Sequence, residues 1–127
     1  MAFHRSDYTQ ATIFYEQGLQ LARQLGNDER ISTLLCYLGK NVSLYQDNYT
    51  LAEALYQEGL ITARQSGHQE AIAVAQYGLA QVAALRGDVR EARRLGQECL
   101  AEFEAIKHNW AEKVRDWLHS LPDKQEH

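Results

Sequence analysis

Apolar residues recur along this chain at helical spacing, in segments of about 18 or 19 residues separated by short polar joints. The joints are Gly26-Asn27, Gln46-Asp47-Asn48, Gly67-His68, Arg86-Gly87-Asp88 and Lys107-His108-Asn109. The pattern predicts six helices, at about 7–25, 28–45, 48–66, 69–86, 88–106 and 108–121. Asp7, Asn48 and Asp88 stand where a side chain caps the following helix, and Gly26 and Gly67 stand where a left-handed residue ends one. The single proline is Pro122, so no obligate helix breaker interrupts the chain before its last residues. The class is all-α.

Two of these helices are apolar on more than one side. Tyr49, Ala52, Tyr56, Gly59, Leu60 and Ala63 form one stripe on the third, while Leu51 and Leu55 begin another. On the second helix Ile31, Leu34, Leu35, Leu38 and Val42 share a side, with Cys36, Tyr37 and Leu44 elsewhere. A helix with two apolar faces lies between neighbours, as in an α-solenoid of antiparallel pairs; a simple bundle needs only one face.

The chain also repeats itself. Residues 8–26 return as 49–67 with ten of nineteen positions identical, and a fainter copy begins at Val89. The spacing is 41 residues and then 40, the signature of a stacked repeat array. The single domain 1–127 divides into a half repeat 7–26, repeats 27–67 and 68–107, and a C-terminal capping helix 108–121. Ala11, Ala52 and Ala92 share one register position, and Gly18, Gly59 and Cys99 another, as close helix contacts require. The interval from Leu38 to Tyr49 exceeds that from Leu79 to Val89 by one residue, which predicts a bulge in the first joint.

These residues resemble the tetratricopeptide repeat. Leu38-Gly39 and Leu79-Ala80 stand at its Leu-Gly site, Asp47-Asn48-Tyr49 and Gly87-Asp88-Val89 at its joint, and Ala52-Tyr56-Gly59 and Ala92-Gly96-Cys99 on its second helix. The long period resembles arrays attached to bacterial signal-transduction ATPases and NB-ARC regulators. The resemblance implies a groove lined by the first helix of each pair, at Thr33, Cys36, Lys40 and Ser43 and at Val74, Tyr77, Gln81 and Ala84. It implies a non-catalytic module that binds a protein or peptide within a signalling or regulatory protein. The alternative is a structural spacer or homo-oligomerisation element. The clamp of Lys, Asn and Arg with which some family members hold a terminal carboxylate is matched here only by Lys40.

Composition adds exclusions. A net charge of −4 disfavours a nucleic-acid partner, whose phosphates call for a basic face. No apolar run approaches the ~18 residues of a membrane span, and MAFHRSDYTQ has no signal-peptide core, so the expected compartment is the cytoplasm. Cys36 and Cys99 lack CxxC spacing and read as free thiols. No catalytic motif is present, so no enzyme, cofactor or metal site is expected. Of the five histidines (His4, His68, His108, His119 and His127), His68 and His108 share a register position one repeat apart, roughly 20 Å by helix widths, too far to share a metal. They read as solvent-exposed joint residues. Arg86-Gly87-Asp88 matches an adhesion tripeptide but fills a joint, and Arg90, Arg93 and Arg94 read as a solvated, ion-paired face. Ile13, Phe14 and Leu21 lie on a second face of the first helix for which no preceding helix is seen, which predicts a homodimer through that helix.

Overall fold

The computed structural model describes residues 5–45 and 47–122. His4, His127 and Gln46 lie outside the described residues, as do the outer limits of the expected domain 1–127. Among the described residues six helices follow one another: α1 (Arg5–Leu25), α2 (Asp28–Tyr45), α3 (Tyr49–Ser66), α4 (Gln69–Leu85), α5 (Val89–Ala105) and α6 (Trp110–Ser120). Among the described residues there is no strand. Each helix packs on the next, and α2 also meets α4, which makes a solenoid-like stack of helical hairpins. Three apolar clusters fill it in sequence: α1 with α2 around Leu35, α2 through α5 around Tyr56, and α4 through α6 around Phe103. Among the described residues no helix is long and apolar enough to cross a membrane.

The joints follow local chemistry. Asn48 accepts the Leu51 amide at 3.2 Å and Asp88 accepts that of Glu91 at 3.2 Å, each satisfying an amide that a helix start leaves without a backbone partner. Asp7 is not a cap, because α1 already runs from Arg5; Asp7 instead lies in its first turn. Every joint contains one residue with positive φ, namely Gly26, Asp47, Gly67, Gly87 and Lys107. The bulge expected in the first joint falls in part on Gln46, outside the described residues; across that joint the Asn48 amide reaches back six residues to the Val42 carbonyl at 3.3 Å, where the Asp88 amide reaches back five to that of Ala83 at 2.9 Å.

What sets the register between repeats is size. Tyr15, Tyr56 and Gly96 share one position on α1, α3 and α5; Tyr37, Gly78 and Leu118 share the facing position on α2, α4 and α6. Tyr56 lies over Gly78, where an added Cβ would stand 2.2 Å from Cε1 of the ring, and its other side rests on Gly39, where a Cβ would stand 3.0 Å from Cε2. One repeat later the sizes are exchanged: Gly96 receives Leu118, whose Cδ2 would be 2.7 Å from a Cβ there. At the first interface both partners are large. Tyr15 and Tyr37 therefore cannot interlock and pack as tilted rings 5.4 Å apart, leaving Tyr37 half exposed.

Repeat register also exposes a weak spot. Gln76 occupies on α4 the position that fully buried Leu35 occupies on α2, and its Oε1 has no hydrogen-bond partner in the protein. A buried acceptor without a partner costs about 1–3 kcal/mol. Gln76→Leu is expected to stabilise the fold by about 1 kcal/mol, read as a higher urea midpoint at unchanged slope. An unmoved or lowered midpoint would mean that the amide is satisfied, for instance by water.

Candidate groove on the inner helices

The positions that matter on α2 are Thr33, Cys36, Lys40 and Ser43, spaced three, four and three residues apart, so they share one helix face. Val74, Tyr77, Gln81 and Ala84 repeat the pattern on α4. The structure brings the two rows together along one trough. Its deeper part is a cavity of about 290 Å³ that includes Thr33, Cys36, Lys40, Val74, Tyr77 and Gln81. A second cavity of about 250 Å³ continues it past Ser43 and Ala84, sharing Lys40, Tyr56 and Gln81 with the first. The eight positions are not equally available. Cys36, Ser43 and Tyr77 are buried, and Ser43 spends its hydroxyl on the Lys40 carbonyl at 3.2 Å. Lys40 and the half-exposed Tyr37 present far more surface.

The third wall of the trough comes from α6, which the sequence reading treated only as a cap. Trp110 and Lys113 border the first cavity and Trp117 the second. By register Trp117 matches Tyr77, whereas Trp110 and Lys113 match Glu70 and Ala73, which are outside the expected groove row. Tyr77 is the hub here, edge-on to Trp110 at 6.3 Å and to Trp117 at 5.5 Å between centroids. Lys113 lays its ammonium over Trp110, 4.4 Å from the centroid, within cation–π range.

His68 and His108 mark the other end of the trough, and they are not the free joint residues that the sequence suggested. His108 is largely covered and meets Glu70 at 2.7 Å; His68 meets Glu29 at 3.5 Å. The Trp110 amide donates to His108 Nδ1 at 3.0 Å, so the ring proton sits on Nε2 and donates to the Glu70 carboxylate. The same His–Glu contact thus ties each inner helix start to the next joint. The trough runs from this imidazole–carboxylate end to Lys40 and the exposed apolar side chains of Leu44 and Leu85.

Burial pushes the Cys36 thiol up to about 12, and Cys99 likewise, so neither supplies a thiolate near neutral pH. Burial also raises the Tyr56 and Tyr77 hydroxyls, with a smaller contribution from the neighbouring cysteine in each case. Among the described residues no cluster of three or more His, Cys, Asp or Glu could hold a metal.

Several of the remaining charged side chains are tied to neighbours within the fold. Arg86 donates to Thr50 Oγ1 at 3.1 Å and Asp88 caps α5, so the Arg-Gly-Asp tripeptide is structural. Arg94 pairs with Glu91 and Glu98, and Arg93 donates to the Pro122 carbonyl. A wider depression of about 610 Å³ between α1 and α3 is bridged by the Arg23–Glu58 ion pair. A scan against models of known protein families finds no match, and comparison with curated proteins finds none either.

Proposed function

We propose that this chain is a non-catalytic interaction module that holds a segment of another protein in the trough formed by α2, α4 and α6, in the manner of a tetratricopeptide array. The observation that carries the reading is the set of side chains that line the trough and keep surface toward it. Tyr37 is half exposed, Lys40 makes no ion pair among the described residues, and Trp110 and Lys113 lie at the rim. Such a surface, aromatic with both signs of charge, suits an extended or helical peptide. A small anion would find no converging donors. The likeness of the repeats to those of bacterial signal-transduction ATPases supports a place in a cytoplasmic regulatory protein. A structural spacer is the second reading, supported by the continuous packing of each helix on the next.

Selection of a displayed random-peptide library on the purified chain separates the two. Tyr37→Ala and Lys40→Glu, both on exposed side chains, are each expected to weaken the selected peptides tenfold or more, about 1.4 kcal/mol. Gln97→Ala on the outer face of α5 should have no effect. A library that yields no binder would favour the spacer, and binders indifferent to both groove variants would remove the trough from the proposal.

A further inference from the structure

The two ends of the stack differ in kind. By repeat register, the buried α4 positions Ala75, Gln76, Leu79 and Ala80 become Arg115, Asp116, His119 and Ser120 on α6, all exposed. Covering that face with another helix would strip water from charged groups and leave them without partners. The α6 end is therefore closed to an apolar surface.

The α1 end is its opposite. Leu55 on α3 packs into the clusters built on α2, and Leu95 on α5 packs into the one holding Ala75, Leu79 and Val82 of α4. Phe14 stands at the same register position on α1, but no described helix precedes it, and it is 67% exposed. Around it, Gln10, Ile13, Gln17, Gln20, Leu21, Gln24 and Leu25 are all exposed, and from Gln10 to Leu25 this helix face carries no charge; Asp7, one turn earlier, bounds it. The corresponding faces of α3 and α5 are charged. In particular Gln17 occupies the position at which α3 has Glu58 and α5 has Glu98.

We propose that two copies of this chain pair through this face, α1 against α1 in antiparallel fashion, crossing near Gln17. In a two-fold contact each residue on the axis meets its own copy. A carboxylate there would face a carboxylate, whereas a glutamine amide both donates and accepts and so bonds to its own copy. Phe14 of one copy then lies against Leu21 of the partner, and the reverse. The antiparallel arrangement also sets the helix dipoles head to tail. Head-to-tail stacking of copies is disfavoured because α6 presents charge where α1 presents apolar surface. Trough and pairing face lie on different helices, so the dimer leaves the peptide site open.

Residue 17 supplies the test. Wild-type chain should sediment as a dimer at about 100 µM, and Gln17→Glu and Gln17→Lys should each weaken the dimer tenfold or more through self-repulsion. Mixing the two variants in equal amounts should restore pairing, because opposite charges then meet across the axis. His119→Glu on α6 should change nothing. Both glutamine variants sit on an exposed helix face, and unchanged melting of the monomer confirms that they fold. A wild-type chain monomeric at this concentration overturns the proposal and leaves the face to another helix. A mixture no tighter than its components, or a dimer lost on His119→Glu, overturns the α1 axis.

Discussion

Gly78→Ala is expected to destabilise the protein by about 2 kcal/mol, although alanine is intrinsically the better helix former by about 1 kcal/mol. The new Cβ would stand 2.2 Å from Cε1 of Tyr56. The ring cannot retreat, because Gly39 already holds its opposite side, where even a hypothetical Cβ lies at 3.0 Å. Either α4 must move away from α3 or the ring must leave its rotamer, and both open the second core. The expected loss in melting temperature is roughly 5–10 °C. Gly18→Ala is the control, since its Cβ would meet only the flexible end of Leu34 at 3.3 Å. Near-equal effects at the two positions would remove the interlock of Tyr56 and Gly78 from the account. A stronger form pairs Tyr56→Gly with Gly78→Leu, copying the Gly96–Leu118 arrangement. The pair should cost less than the sum of its single changes, with a coupling of about 1–2 kcal/mol.

Phe103→Ala should cost more, about 3–5 kcal/mol, a large share of the ~5–15 kcal/mol that a domain possesses. Repeat register alone would suggest the reverse. Phe103 stands where the first two repeats carry Ala22 and Ala63, both buried, so the variant merely restores the repeated residue. Packing decides otherwise. Phe103 is fully buried, its ring 5.0 Å from that of His108 and 5.8 Å from that of Trp110, in the cluster that also encloses Val114 and Leu118. Truncation leaves a cavity bounded by rings that are themselves fixed, and it loosens the contact that turns the His108 imidazole toward Glu70. Urea unfolding measures the loss directly. A change below about 1 kcal/mol would show that α6 collapses onto the space.

The contrast between these residues explains how far the sequence could be read. Helix limits were legible to within about two residues, because Asn48, Asp88, Gly26 and Gly67 act through bonds to their own neighbours. The rows Thr33–Ser43 and Val74–Ala84 were legible because a helix face follows from spacing once the register is known. What lay beyond reach depends on which residue faces which across a repeat boundary. Gly78 passed unnoticed beside the Leu79-Ala80 pair, since its meaning comes from Tyr56, twenty-two residues earlier. The same holds for Glu29 and Glu70, ordinary first-turn acids until a histidine from the next joint reaches them. The share of α6 in the trough was hidden for another reason. Trp110 and Trp117 fit a capping stripe so well that nothing in the pattern asked for a second role.

The graded interlock along the stack has a consequence for how the molecule comes apart. In a stack bound mainly by nearest-neighbour contacts, stability is a sum over interfaces and opening starts at the weakest. The Tyr15–Tyr37 pair leaves α1 without the interlock that Tyr56 and Gly78 give the next pair of helices, so an opening from the α1 end is expected to stop at α3. Helix α4, with buried residues on every side, belongs to the last unit to open. Contacts between successive helices are also short in sequence, so such a chain folds fast, without long loops to close before its contacts form. The α1 end is then where a zipper-like stack lacks an interlock, on the helix whose outer face is proposed to pair with a second copy.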